Sequence, residues 1–241
     1  MIYNNLIYLI VVIFILSTNS VPDAPQLSPT ITALLFAAKG LFFWLLVYAC
    51  YVRKRVDKVS EYFKAEQKFS ILAIGSVAVD VYVLDCQYYF AALPFTDSLP
   101  ILVSLGGILL FFFYLCIAWA GARESYSVVF GRSYSAGAFL RSNISNNIPI
   151  ILPWLLLSLL FDLLLLLPVP AVYDFLRSSW GEPLFFVTFF IMLAVTFPEI
   201  IIRLWKCEPL PEGPVRSHIE DFCQRHKLRY ANVMLWPLFE G

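Results

Sequence analysis

Four ionisable side chains lie inside long apolar stretches of this 241-residue chain: Lys39, Asp80, Asp85 and Asp162. A charge at depth in hydrocarbon is costly unless paired or wetted, so each is a candidate for an ion pair, a proton relay or a substrate contact. Lys39 and Asp85 each sit eight residues from the outer end of an apolar run, about 12 Å deep at ~1.5 Å per helical residue. Asp162 lies five residues from the outer end of another. Lys39 and Asp85 can therefore pair, and a Lys39, Asp85, Asp162 cluster in the outer leaflet is geometrically allowed, with Asp80 nearer mid-membrane. Asp80 and Asp85 are five apart, roughly 500° of helical rotation, so they share no face and make no paired-carboxylate acid/base site. Such groups ordinarily fix helix packing through an interhelical pair; a proton, ion or substrate site is the functional alternative.

Other chemistries find little footing. His218 and His226 are eight apart, which excludes the adjacent-turn geometry of an i, i+4 zinc pair. Five cysteines (Cys50, Cys86, Cys116, Cys207, Cys223) lack any CxxC spacing, and buried free thiols are expected within the apolar runs. Asp23, Asp97, Asp174 and Glu182 occur singly, without calcium-ligand spacing. Gly106 and Gly107 are embedded in an apolar run, not in a phosphate loop after a strand. Glu199 and Arg203, at i and i+4, read as a structural pair. With 17 basic and 17 acidic residues, no nucleic-acid surface is expected.

The elements that must position these residues are membrane helices. The chain is 60% hydrophobic and only 14% charged, too few charges to coat a water-facing surface, so its excess apolar residues face lipid. The expected fold class is an all-α integral membrane protein with about six transmembrane helices. Five follow from runs near the ~20 residues needed for a span: 31–52, 69–93, 99–121, 148–167 and 184–204. The first, 2–17, is short and resembles the apolar region of a signal peptide. No Lys or Arg precedes it and no clean cleavage site follows, which favours a retained helix. The runs lack barrel-strand alternation, so helix is the expected state. Pro149 and Pro153 should lie near an end of the fifth run, and Pro198 should kink the sixth near its end.

Basic residues alternate between the connecting segments. Residues 53–68 carry six, 122–147 carry three and 203–241 carry six, whereas 18–30 and 94–98 carry none and 168–183 only Arg177. The positive-inside rule then places both termini in the cytoplasm if the first helix is retained, and the C-terminal tail there in either case. Asn143, in a glycosylation-type NIS triplet, falls on that inner side and reads as a chance match. Arg123, Arg132 and Arg141 recur every nine residues, as in an interfacial helix or loop touching anionic headgroups.

The expected organisation is a transmembrane domain over 1–206 and a cytoplasmic helix-strand tail over 207–241. After the Pro-rich CEPLPEGP, the stretch PVRSHIEDFCQRHKL patterns as an amphipathic helix with Pro214 in its first turn. Val215, Ile219 and Phe222 share one face, a candidate docking surface, with Cys223 and His226 alongside. Tyr230, Val233 and Leu235 of RYANVMLW are expected to begin a strand. About 35 residues cannot close a core unaided.

Residues 210–241, LPEGPVRSHIEDFCQRHKLRYANVMLWPLFEG, resemble the opening of the peptidase domain of HtpX-like and CAAX-prenyl-protease-like membrane zinc metallopeptidases. The resemblance implies a transmembrane region followed by a cytosol-facing peptidase domain, whose zinc is held by an HExxH helix and a downstream Glu. No HExxH occurs in this chain, so no catalytic residue carries over; the expectation is the membrane-embedded N-terminal portion of such a peptidase, truncated or split and not catalytic alone, with zinc only in the missing catalytic part. The partners expected are the bilayer and a separately encoded catalytic half or another membrane partner. The alternatives are a membrane scaffold or regulatory subunit docking through the tail helix, and a small transporter subunit using the buried charges.

Overall fold

The computed structural model describes residues 2–236; the final five residues of the tail stretch lie outside the described residues. Among the described residues the chain is nearly all helix: α1 Ile2–Thr18, α2 Pro29–Val47, α3 Val59–Tyr82, α4 Cys86–Ala91, α5 Ile101–Phe130, α6 Ala136–Leu166, α7 Pro170–Leu176, α8 Gly181–Leu204 and α9 Pro214–Arg225. Two short strands, β1 Glu208–Pro209 and β2 Met234–Leu235, pair antiparallel. Four helical segments are long and apolar enough to cross a membrane: Pro29–Arg53, Ile101–Phe130, Ala136–Leu166 and Gly181–Leu204. α1 has only 17 residues, and α3 begins in the charge-rich 53–68 segment.

The chain divides into two units, Met1–Phe185 and Phe186–Gly241. In the first, α5 is the central helix, packed by α1, α2, α3, α4 and α6. Its inward stripe alternates small and large residues, from Gly107, Ile108 and Phe111 through Tyr114, Ala118 and Ala122 to Ser125 and Tyr126. Small residues let backbones approach, which is how membrane helices gain contact without a hydrophobic driving force between them. A Cβ on Gly107 would overlap Leu16 of α1, and one on Gly121 would overlap Val47 of α2. α1 belongs to this packing: Leu9, Val12 and Leu16 are buried along one face. The end of α1 is also tied down, since Gln87 Nε2 donates to Leu16 O at 2.9 Å and Asn19 Nδ2 donates to Gln87 Oε1 at 3.1 Å.

α2 runs on into a π-helical turn, Tyr48–Arg53. Tyr51 in that turn is buried against Phe69 and Tyr62 of α3, with ring centroids 5.4 and 6.3 Å away. Ser125 Oγ of α5 donates to Tyr51 O at 3.3 Å. Tyr62, Tyr126, Phe130 and Phe139 extend the aromatic cluster onto α5 and α6.

Two expectations are corrected. The run 69–93 is not one helix: α3 stops at Tyr82, Asp85 takes a left-handed conformation (φ 50°), and α4 starts at Cys86. Asp is one of the few residues that tolerates that conformation, and a hydrogen bond from the backbone of Gln26 anchors it there. Residues 122–147 form the extensions of α5 and α6 around a turn at Gly131, which caps α5 at φ 67°. Pro149 and Pro153 consequently lie inside α6 instead of near its end. Each removes one helical hydrogen bond. Upstream of them, Asn143 Nδ2 and Asn147 Nδ2 donate to carbonyls one turn back, Phe139 O at 2.9 Å and Asn143 O at 2.8 Å.

In the second unit, Pro214 occupies the first turn of α9, as the sequence predicts. Arg216 organises the tail. Its guanidinium donates to Glu220 Oε1 (2.8 Å), Leu210 O (2.6 Å) and Asn232 Oδ1 (3.2 Å), tying helix, linker and the approach to β2 together. Trp205 and Trp236 stack at 4.1 Å between centroids.

Candidate functional site

Among the four charges of the apolar runs, the structure joins Lys39 to Asp80. Lys39 comes from mid-α2 and Asp80 from the last turn of α3. The Lys39 ammonium stands 2.5 Å from Asp80 Oδ1, and Asp80 is fully buried. Tyr114 of α5 donates its hydroxyl to Asp80 Oδ2 at 2.9 Å. Lys39 Nζ also donates to Ser76 O at 2.7 Å and lies over the Tyr114 ring, 5.0 Å from its centroid. Tyr114 in turn packs on Phe43, one turn beyond Lys39 on α2. Lys39, Asp80 and Tyr114 thereby link three helices.

A Lys39, Asp85, Asp162 cluster does not form, because the other two carboxylates are taken by backbone amides. Asp85 Oδ2 accepts from Gln26 N at 2.7 Å, clamping the α1–α2 connection onto the junction of α3 and α4. Asp162 Oδ2 accepts from Ile101 N at 2.8 Å, so α6 caps the first residue of α5 in the way an N-cap side chain would. Pairing Lys39 with Asp85 by depth assumes an unbroken helix to residue 93. α3 ends at Tyr82, so Asp85 lies beyond the helix, and it is Asp80, still inside α3, that meets Lys39.

Chemically, the Lys39–Asp80–Tyr114 group is an ion pair whose carboxylate is engaged on both oxygens. It holds α2, α3 and α5 in register. Tyr114 is missed by a reading that looks only for charges, because a tyrosine in an apolar run passes for an ordinary aromatic. Its signal is that it lies on a stripe with Gly107, Ile108, Phe111, Ala118 and Ala122, all otherwise apolar or small.

No residue of α9 is buried; Val215 and Phe222 are 65% and 49% exposed, and Ile219 is half-buried. His226 caps the helix with its ring 4.4 Å from that of Phe222, while His218 is exposed on the helix body. The two imidazoles do not converge. Among the described residues no three His, Cys, Asp or Glu side chains come together to hold a metal ion. Glu199 and Arg203 form the i, i+4 pair at 3.0 Å. Comparison with protein-family models, curated proteins and solved structures finds no match for this chain.

Proposed function

We propose that this chain is the membrane-embedded portion of an HtpX-like zinc metallopeptidase, carrying the first helix and strand of its cytosol-facing domain and not hydrolytic alone. The observation that carries the reading is the tail. A 12-residue helix leads to a strand, a ladder of two residues a side pairs that strand with β1 ahead of the helix, and the apolar face of the helix is left open to solvent at Val215 and Phe222. A helix and a two-stranded ladder of this size cannot be stable as a domain, so Val215 and Phe222 need a further surface to cover them, which we read as the rest of such a peptidase domain. The similarity of residues 210–241 to the start of such a peptidase domain gives that surface a chemistry.

The topology belongs to the same proposal: six crossings, with α1 and α3 completing the four longer spans and the tail in the cytosol. Burial of Leu9, Val12 and Leu16 supports α1 as a retained member of the bundle. The alternation of Lys and Arg supports the orientation.

The test is the coding sequence beyond residue 241, in frame or in an adjacent gene. It should encode an HExxH helix, and co-expression of the two parts should give zinc-dependent peptide hydrolysis that this chain alone lacks. Absence of such a helix overturns the reading.

A second reading, a scaffold docking a protein partner through α9, is favoured by the same exposed face. Ile219→Asp should then abolish capture of a partner by the full chain.

A further inference from the structure

A groove on the outside of the helical bundle is used by neither of these roles. It runs between α2, with its π-helical turn, and α5, and has a volume of about 410 Å³. Trp44, Tyr48 and Val52 form one wall, and Phe113, Ile117 and Ala120 the other. Both walls belong to segments long and apolar enough to cross a membrane, Pro29–Arg53 and Ile101–Phe130, so in a bilayer the groove opens onto hydrocarbon. Its volume lies in the range of small-ligand sites.

The two helices run parallel: Lys39 lies over the Tyr114 ring, Val47 meets Gly121, and Tyr51 O accepts from Ser125. The groove therefore occupies the half of the span that ends at Arg53. Tyr48 lies five residues before Arg53, roughly 8 Å along the helix, close to headgroup depth.

The walls are locked before any ligand arrives. Trp44 and Tyr48 stack with ring centroids 5.7 Å apart, and Phe113 stacks on Phe36 at 5.9 Å. At the floor, Gly121 meets the buried Val47 so closely that a Cβ there would overlap it. A preformed slot of this kind favours a rigid plate over an acyl chain, which would lose rotamer freedom along its length on entering.

The polar groups at the Arg53 end favour a neutral hydroxyl over a charged headgroup. Tyr48 is exposed, and its hydroxyl forms no hydrogen bond among the described residues. Both signs of charge flank it. Arg53, followed by Lys54 and Arg55, ends the α2 span, whereas Glu124, beside Arg123 at 3.6 Å, stands one turn beyond Ala120 on α5. A hydroxyl can accept from a base and donate to an acid, whereas a phosphate would be repelled by Glu124 and an ammonium by Arg53. Leu45, Tyr48 and Arg53 also follow the loose spacing proposed for sterol contact, which by itself carries no site.

We propose that this groove binds a sterol-shaped lipid, a fused-ring plate with a single hydroxyl, its rings between Trp44 and Ala120 and its hydroxyl at Tyr48. The site requires only that these two helices lie in a bilayer, and it is independent of the peptidase reading.

The experiment uses the full chain in phosphatidylcholine nanodiscs and a cholesterol analogue with a photoreactive diazirine in its ring system. Labelling, mapped by mass spectrometry, should concentrate on residues 44–52 and 113–121, and unlabelled cholesterol should compete it away. The mirror image, ent-cholesterol, differs only in handedness and should compete several-fold less well, as should cholestene, the analogue lacking the hydroxyl. Ala120→Phe fills the slot from an exposed position and should abolish labelling of both segments, while Leu109→Phe, on α5 outside the groove, should keep it. Should Ala120→Phe not fold, Tyr48→Phe answers: it keeps the ring, loses the hydroxyl and should weaken cholesterol competition several-fold. Labelling spread evenly over the exposed helices, equal competition by ent-cholesterol, cholestene or added phosphatidylserine, labelling that survives Ala120→Phe, or unaltered competition in Tyr48→Phe overturns the proposal.

Discussion

Lys39 and Asp80 stand 2.5 Å apart, ammonium to carboxylate, in the interior of a helical bundle where Asp80 has no solvent exposure. The pair binds α2 to α3, and the Tyr114 hydroxyl brings in α5. In a buried pair, desolvation offsets much of the attraction, so removing one partner probes the contact far more sharply than removing both.

Asp80→Leu or Lys39→Met alone should destabilise the bundle by about 3–5 kcal/mol, because each leaves an uncompensated buried charge. The double variant Lys39→Met/Asp80→Leu should recover most of that loss. Denaturant unfolding in detergent reads both. If the pair were a transport or proton site, the double variant would remain stable yet lose the activity, which separates that role from a packing role.

Tyr114→Phe should cost about 1–3 kcal/mol, the penalty of leaving the second Asp80 oxygen without its donor, while the ring keeps its packing on Phe43. The same unfolding assay applies, with tryptophan fluorescence as the signal.

Asp162→Ala should cost about 0.5–2 kcal/mol by uncapping α5, and Asp162→Asn should lose less because its side-chain oxygen can still accept from Ile101 N. Hydrogen exchange at the α5 N-terminus should rise in the alanine variant.

Two glycines should respond with opposite signs. Gly121→Ala forces a Cβ onto Val47, a stiff β-branched side chain at the α2–α5 crossing, and should cost about 1–3 kcal/mol. Gly75→Ala, in α3 with open space around it, should stabilise by about 0.5–1 kcal/mol. Equal effects at the two positions would contradict close α2–α5 packing at Gly121.

Much of the architecture was legible because long apolar runs have few options in lipid. The cores of the runs at 31–52, 99–121, 148–167 and 184–204 all fall within helices, and the amphipathic period of α9 with Pro214 at its start was readable directly. The features beyond reach of the sequence depend on contacts between distant residues. Nothing in the run Val83, Leu84, Asp85, Cys86 signals a helix break; the break coincides with a hydrogen bond from Gln26, 59 residues earlier. The same break takes Asp85 out of α3, and Lys39 meets Asp80. The extension of α6 through Asn143, Asn146 and Pro149 runs against local preference, since Asn and Pro disfavour helix interiors. It is sustained by the aromatic packing of Phe139 with Tyr126 and by the Asn143 and Asn147 bonds along the helix. The groove between α2 and α5 is assembled from residues far apart in the sequence, and no single run announces it.

The most direct test of the account is a topology reporter fused after Gly241. A multi-pass chain with its tail in the cytosol predicts that a green fluorescent protein fusion at that point is bright and an alkaline phosphatase fusion is inactive. A dark fluorescent fusion with an active phosphatase would place the tail on the other side and contradict both the orientation and the proposed cytosolic domain.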